Sequence, residues 1–263
     1  MPTASADAGV GALLRDWRER RRRSQLDLAL EAGISAKHLS FVETGRSTPS
    51  PRMIVKLASE LDVPHRERNR LLLAAGYAPL YAERSLEAEE MTPVREAIEQ
   101  VLSAHEPYPA VVVDGHWNLL ASNDAVGALL EGVSPALLEP PANVLRISLH
   151  PDGMAPRIVN LGEWRGHLLQ RLRRQIALSG APELVALAKE AQDWPAGDEP
   201  GELPAQEIVA PLRLHTNRGE LAFFSTITTF GTAVEITASE ISIESFYPAD
   251  RASAAAVAST ASR

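Results

Sequence analysis

Cysteine is absent from all 263 residues of the chain. Disulfide bonds, thiolate metal ligands and cysteine nucleophiles are therefore excluded, and such a composition fits a reducing compartment. No run of 18 or more apolar residues exists, which argues against a membrane-spanning helix. The first residues, MPTASADAGVGALL, have no basic region before their short apolar stretch. We therefore expect no signal peptide, no membrane insertion and a cytoplasmic protein.

Recognisable catalytic and metal-binding patterns are also lacking. The seven histidines include no HExxH pattern and no close pair, so the sequence predicts no metal site and no cofactor. Gly162 and Gly166 do not form a phosphate-binding loop, and no convergent set of titratable residues is visible. We therefore expect a protein that is not an enzyme. An enzyme fused to a regulatory head remains the third interpretation.

Charge is distributed unevenly along the chain. Residues 1–76 carry 13 lysines and arginines against 9 acidic residues, a net charge of +4. The remaining residues carry 13 basic and 25 acidic residues, a net charge of −12, so the whole chain has a net charge of −8. A basic front part and an acidic back part indicate two domains with different partners.

Five short helices are predicted in the first 77 residues, from apolar spacing and from helix stops at Gly33, Gly45 and Gly76. The fourth helix is predicted to begin at Pro51, after a Ser50 cap. The other four are expected at Val10–Arg22, Gln25–Ala32, Ala36–Thr44 and His65–Ala75.

The stretch SQLDLALEAGISAKHLSFVETG, from Ser24 to Gly45, has the layout of a helix-turn-helix. Ala29 is small where the second helix crosses, and Gly33 permits the positive φ of the sharp turn. Ser35 can cap the second helix. The outward residues of this helix are not needed for packing, and such a helix fits the major groove of DNA.

These residues resemble the phage-repressor (Cro-like, XRE) helix-turn-helix family. The resemblance rests on the Ser24-Gln25 opening, the Ala29–Gly33 step and the helix end from Val42 to Arg46. It implies that Gln25 grips a phosphate, that the second helix reads bases, and that Glu43 pairs with Arg18. The expected partner is double-stranded operator DNA, although similar folds also occur as protein-binding modules. The predicted DNA-contact residues are Gln25, Ser35, Ala36, Lys37, His38, Ser40, Phe41, Thr44 and Arg46.

The second domain has a different pattern. Two short strands around Asp114-Gly115 precede a helix that Asn123 is expected to cap, and three antiparallel strands are expected between Ile208 and Phe246. This order resembles a PAS-like fold, and nearly the whole chain resembles the MmyB-like transcription regulators. We expect a mainly α five-helix head at 9–77, a linker at 78–92, an α+β domain with an antiparallel sheet at 93–250, and a flexible tail at 251–263.

The MmyB-like resemblance implies a small-molecule effector, fatty-acid-like or otherwise apolar, held between sheet and helices. Arg146 and His150, together with Arg165, are candidates for meeting an acidic head group. The apolar residues predicted to hold the ligand would also fill an ordinary core, and that alternative stays open. The predicted ligand residues are Trp117, Asn123, Leu145, Arg146, His150, Trp164, Leu168, Phe223 and Ile227.

The combined prediction is a sequence-specific transcription regulator. One recognition helix covers too few base pairs to find a site in a genome, so we expect a homodimer on two half-sites. The alternative is a helix-turn-helix regulator whose second domain only dimerises or docks a protein partner.

Overall fold

The computed structural model describes residues 9–197, 210–217 and 219–261. The chain forms two compact units, the first built mainly from residues up to Glu83 and the second mainly from Arg84 onward. One predicted feature begins outside the described residues, because the region expected to form three antiparallel strands starts at Ile208.

The first unit contains the five predicted helices. Ser24, Ser35 and Ser50 each accept a backbone N–H at a helix start, and Pro51 occupies the first helical position of the fourth helix. The helices are α1 (Val10–Arg20), α2 (Gln25–Glu31), α3 (Ala36–Glu43), α4 (Pro51–Glu60) and α5 (His65–Ala74).

The turn between α2 and α3 forms as the sequence predicts. Gly33 has a φ of +61°, and the N–H of Ile34 donates to the carbonyl of Ala29 at 2.9 Å. Ala29 is 1% exposed, so its small size is used in helix packing. A second close approach was not predicted: a Cβ on Gly11 would lie 2.1 Å from the carbonyl oxygen of Val42, so α1 and α3 require glycine there.

The second unit combines helices with one five-stranded antiparallel sheet, in the order β2-β1-β5-β4-β3. The strands are β1 (Ala110–Val113), β2 (Leu119–Ser122), β3 (Leu212–Thr216), β4 (Gly219–Thr229) and β5 (Ser242–Pro248). The helices are α6 (Thr92–Ala104), α7 (Pro135–Leu138), α8 (Val144–Leu149), α9 (Leu161–Ser179), α10 (Pro182–Glu190), α11 (Ile236–Glu240) and α12 (Arg251–Ala261).

Each face of the sheet carries its own apolar cluster. Val111 and Phe246 belong to the larger cluster, together with buried residues of α8, α9 and α10. Ala110 and Val112 belong to the smaller cluster with Ile98 and Leu102 of α6. Because β1 and β5 pair in the middle of the sheet, their side chains are buried on both faces.

The segment predicted as a flexible tail is helical where the structure describes it, because residues 251–261 form α12. The side chain of Asp250 accepts the N–H of Ser253 at 2.7 Å, and the Ser253 hydroxyl accepts the N–H of Ala222 in β4 at 2.9 Å. The alanines of this segment favour a helix, but they carry little of the apolar contrast from which a packed helix is predicted.

The segment predicted as a linker is divided between the two units. Its first residues are held within the first unit, where the Asn69 side chain bonds the backbone of Leu80 and Tyr81 at 2.8–3.0 Å. Within the second unit, Arg95 donates to the carbonyl oxygen of Ala88 at 2.7 Å. The domain boundaries assigned from sequence stay predictions.

Candidate nucleic-acid interface and ligand cavity

The outward side of α3 carries most of the predicted DNA-contact residues. Leu39 and Val42 are fully buried and fix the back of the helix on the core of the first unit. Around them Ser35, Lys37, Thr44 and Arg46 are exposed, while His38, Ser40 and Phe41 are half-buried. The structure therefore places polar and basic side chains on one accessible surface, here called the α3 face.

Two cations flank an aromatic ring on the α3 face. The Nζ of Lys37 lies 5.7 Å from the centre of the Phe41 ring, and the Cζ of Arg46 lies 5.9 Å from it. The turn after α3 fixes Arg46, because Gly45 has a φ of +73° and the Arg46 N–H donates to the Phe41 carbonyl at 2.8 Å. Both positive charges therefore lie against the Phe41 ring, where a cation–π interaction favours them.

Two predicted contact residues also make contacts inside the head. Ala36 is half-buried and packs against the core cluster, so it contributes less to the outward face than the sequence predicts. The Thr44 hydroxyl donates to the carbonyl of Ser40 at 2.7 Å. Its methyl group and its oxygen lone pairs remain available to a ligand.

A buried ion pair connects α1 with the end of α3, as the family resemblance implies. Arg18 donates to both carboxylate oxygens of Glu43, at 2.7 and 2.9 Å. This hydrogen bonding raises the pKa of Arg18 above its ordinary value. The amide nitrogen of Gln25 also donates to Glu43, at 2.8 Å. Because a primary amide has two N–H groups, Gln25 keeps one for another acceptor.

The arginine cluster from Arg18 to Arg23 is largely bound within the head. Arg20 pairs with Asp16 at 2.7 Å, Arg21 donates to the carbonyls of Leu61 and Asp62, and Arg23 pairs with Glu31 at 2.7 Å. Arg22 is exposed, and its side chain has no partner within the described part of the chain.

An apolar cavity of about 70 Å³ lies among the helices of the second unit and its sheet. Of the residues predicted to hold a ligand, Trp117, Trp164 and Leu168 line it. Both indole N–H groups are satisfied: Trp164 donates to the Ser148 hydroxyl at 2.9 Å and Trp117 to Gln175 at 2.7 Å. The two rings are therefore held in place as fixed walls of the cavity.

A larger cleft of about 340 Å³ adjoins this cavity, and Leu129 lines both. The predicted residue Phe223 lines the cleft instead of the cavity. Leu221 and Val257 add apolar surface, so α12 forms part of this wall. The glutamates and aspartate at the cleft are Glu106, Asp124 and Glu131.

Three further predicted ligand residues do not line the cavity. Leu145 is fully buried in the core cluster, and Ile227 is 48% exposed on β4. Asn123 was expected to cap a helix, but a short 3-10 helix follows it and its side chain makes no capping bond. Its amide instead accepts the N–H of Ala110 at 2.9 Å and donates to the carbonyl of Tyr108 at 2.8 Å. Asn123 therefore holds the start of β1 in place.

The predicted head-group residues are also placed elsewhere. Arg146 makes a bidentate ion pair with Glu190 at 2.8–3.2 Å. These hydrogen bonds raise the pKa of Arg146. His150 accepts the N–H of Asp152 through Nδ1 at 3.1 Å and lies beside Trp194. Arg165 donates to the carbonyl of Ala191 at 2.9 Å. None of the three lines the cavity.

Sequence reasoning missed the charged group that does line the cavity, Glu244 on β5. Its carboxylate accepts from Arg171 at 2.7 Å and from the Ser225 hydroxyl at 2.8 Å. The alternation ISIESF is typical of a strand with one exposed face, and glutamate normally occupies that face. Only the central place of β5 in the sheet buries it.

Within the described residues, no helix has both the length and the apolar composition needed to cross a membrane. The same part of the chain contains no cluster of three histidine, aspartate or glutamate side chains arranged to hold a metal ion.

Comparison with known proteins identifies relatives of both units. Residues 94–259 match the family model of the MmyB-like transcription regulator ligand binding domain, and residues 14–68 match the helix-turn-helix model. The chain is similar to the uncharacterised HTH-type transcriptional regulator RghRB of Bacillus subtilis (strain 168), with 36% identity over 110 residues. These residues are 41% of this chain and 70% of that relative.

A second relative covers more of the chain. The uncharacterised HTH-type transcriptional regulator Rv0023 of Mycobacterium tuberculosis is 28% identical over 183 residues, which are 65% of this chain and 70% of that relative. The crystal structure of the clp gene regulator ClgR from Corynebacterium glutamicum aligns with 21% identity and a TM-score of 0.24, over 40% of this chain and 99% of that one. Because the match to the ligand binding domain spans more than half of the chain and follows a matched helix-turn-helix, the chain belongs to the family of MmyB-like transcription regulators.

Proposed function

We propose that the head binds double-stranded operator DNA by placing α3 in the major groove. The observation that carries the proposal is the α3 face, where Lys37, Ser40 and Thr44 follow one another along a helix whose opposite side is locked into the core. The fixed back sets the angle at which the side chains reach base edges. The same proposal covers the flanking contacts by Ser35, His38, Phe41 and Arg46.

Gln25 is proposed to donate a hydrogen bond to a DNA phosphate through its remaining N–H. Its bond to Glu43 holds the amide at the start of α2 and leaves one hydrogen directed elsewhere. Replacing it with alanine should weaken binding to all DNA sequences alike, because phosphate contacts position the protein without reading bases.

Selection of bound sites from random duplexes tests the DNA proposal. The purified full-length protein should enrich one sequence, and its affinity should fall steeply with salt because phosphates supply much of the binding free energy. No enrichment, together with binding that salt does not change, would contradict the proposal and favour a protein-binding head.

We expect the chain to bind DNA as a homodimer on half-sites about one helical turn apart. Sedimentation of the full-length protein, with and without a duplex carrying one or two half-sites, tests this expectation. A monomer that binds a single half-site tightly would contradict it.

The second domain is proposed to sense a small apolar ligand, held against Trp117 and Trp164 in the cavity. A fatty-acid-like aliphatic chain is the class that the family resemblance suggests. The cavity of about 70 Å³ is too small for a long chain, since an apolar cavity of about 150 Å³ is of the size that binds benzene. Movement of Leu129 would join the cavity to the adjoining cleft and provide the room.

The small cavity volume also favours a second candidate, a domain that only dimerises or docks a protein. Mass spectrometry of small molecules released from the purified protein separates the two candidates. A bound apolar molecule at about one per chain supports the sensor. Its absence, together with no calorimetric signal from aliphatic ligands, supports the scaffold.

A further inference from the structure

Among the described residues of the cavity wall, Glu244 has the one buried charged side chain. Its side chain is 8% exposed, and it lies on the central strand β5. One carboxylate oxygen accepts from Arg171 Nη1 at 2.7 Å, and the other accepts from the Ser225 hydroxyl at 2.8 Å. Each carboxylate oxygen has two lone-pair directions, so Glu244 can still accept a further hydrogen bond from a molecule in the cavity.

The rest of the cavity wall offers little polar chemistry. Ser148 is the other polar side chain among the described wall residues, and its oxygen already accepts from Trp164 at 2.9 Å. The remaining wall residues, including Trp117, Trp164 and Phe246, are apolar. The Ser148 hydroxyl is neutral, so Glu244 is the strongest hydrogen-bond acceptor in the described wall, and a ligand that fills this space would place a donor group at Glu244.

The charge of Glu244 is already balanced by Arg171. The Arg171 guanidinium also lies over the Trp117 ring, with Cζ 4.5 Å from the ring centre. A ligand carboxylate placed beside Glu244 would meet a like charge, and a ligand ammonium would meet Arg171. Either ion would lose its hydration without gaining an unpaired countercharge, which is unfavourable in a buried site. A hydroxyl group has no such cost and can donate to Glu244.

We propose that the cavity selects an uncharged apolar molecule whose polar end donates a hydrogen bond to Glu244, of the alcohol or phenol class. The inference rests on the proposed sensing function and changes only the head group: an aliphatic chain is retained, and an ionised acid is disfavoured. It assigns Glu244 as the specificity-determining residue, with Arg171 and Ser225 positioning its carboxylate.

Calorimetry on the full-length protein with three ligands of equal chain length tests the proposal. The probes are 1-octanol, octanoate and octylamine at pH 7, where the acid is ionised and the amine is protonated. We expect octanol to bind about tenfold more tightly than either ion, because a hydrogen bond to a charged acceptor typically contributes that much. Tighter binding of octanoate or octylamine than of octanol would overturn the inference and leave the sensing function standing. Binding of none of the three would contradict the sensing function itself.

Two variants sharpen the test by changing the charge balance. Glu244→Gln removes the negative charge and frees Arg171, so the preference should shift toward octanoate by about tenfold relative to octanol. Arg171→Gln frees Glu244 and should shift the preference toward octylamine. Glu139→Gln, at an exposed position outside the cavity, is the matched control and should leave all three affinities unchanged.

Thermal unfolding of each variant separates a lost fold from a changed preference. If Glu244→Gln does not fold, the wild-type ligand series and Arg171→Gln still decide the question. If both variants fold and their ligand preferences equal that of the wild type, Glu244 is not the specificity-determining residue and the inference fails.

Discussion

Each unit of the protein buries an arginine–glutamate pair, and the two pairs have different surroundings. In the head, the Glu43 side chain is 1% exposed and accepts three hydrogen bonds, two from Arg18 and one from Gln25. In the second unit, the Glu244 side chain is 8% exposed, accepts two hydrogen bonds and borders a cavity. The arginine–glutamate pair of the head is therefore enclosed in the core. The pair of the second unit leaves a carboxylate oxygen that can still accept a hydrogen bond from the cavity.

The role of each buried ion pair depends on what surrounds it. Arg18 and Glu43 connect α1 to the end of α3, so their pair fixes the recognition helix on its support. Arg171 and Glu244 connect α9 to the sheet beside space that the apolar side chains do not fill. In the proposed function, the head needs a firmly supported α3 and the second unit needs a site whose occupancy can change, and the two pairs suit these two needs.

The largest expected effect comes from breaking the pair in the head. Glu43→Ala leaves Arg18 buried without its countercharge and should lower the free energy of unfolding by about 3–5 kcal/mol. Glu244→Ala should cost less, because the Arg171 side chain is 22% exposed and can reach water. Urea unfolding of the full-length variants, followed by circular dichroism, measures both. Equal losses of the free energy of unfolding in the two variants would show that both pairs stabilise the protein to the same extent.

The second prediction concerns the α3 face. If Lys37 reads a base, Lys37→Ala should cost about 1–3 kcal/mol at the operator and relax the preference at one base position. Lys189→Ala removes an exposed lysine of the second unit and is the matched control. Gel-shift titrations on the selected site and its single-base variants give both quantities. An unchanged affinity and an unchanged base preference would remove Lys37 from the DNA-contact residues.

The third prediction applies to the cavity. Trp164→Phe shortens one wall and leaves Ser148 without its donor, so ligand affinity should change by about tenfold, as expected for one lost contact and a new void. Operator binding by the full-length variant without ligand should be unchanged. With saturating ligand, the wild type should change its operator affinity by roughly 5- to 150-fold, a typical coupling range. Loss of ligand-free DNA binding in the variant would show that Trp164 supports the fold rather than the sensor.

The smallest expected effect lies at the start of α12. The bonds from Ser253 hold the pKa of Asp250 below its ordinary value, 3.8. A lowered folded-state pKa stabilises the protein above the unfolded-state pKa, and this contribution disappears as the pH falls through the folded-state value. Asp250→Ala should cost about 1 kcal/mol at pH 7 by removing a helix cap. The difference from the wild type should shrink below about pH 4 in urea unfolding. A difference that does not depend on pH would assign the effect to packing.

The helix-turn-helix was predictable because its signals are local. Ala29, Gly33 and the serine caps act within one or two helical turns of their own position, and each has the predicted conformation or contact. Arg18 and Glu43 are 25 positions apart, and their pairing was predicted from family resemblance rather than from spacing. The inward packing of Ala36 was missed, since one small residue carries no clear periodic signal.

The ligand residues were harder to predict for a physical reason. Asn123, Arg146 and His150 are polar residues whose partners are backbone groups or a side chain of a neighbouring helix. The sequence does not show that these hydrogen bonds are already made. Phe223 and Ile227 lie on the same strand, yet one lines the cleft and the other is exposed. Strand alternation assigns a face, but it does not show where along that face a helix covers the sheet.

The sequence by itself determined the head: its five helices, the glycine turn and the polar outward side of α3 follow from apolar spacing and capping chemistry between near neighbours. It also determined the two-domain plan, through the change in charge and periodicity after residue 77. Only the tertiary structure decided which residues face the cavity. β5 pairs with β1 and β4, so Glu244 stands opposite both Val111 and Ile227. Its burial therefore depends on β1, which lies far from β5 in the chain, and no local pattern encodes this pairing.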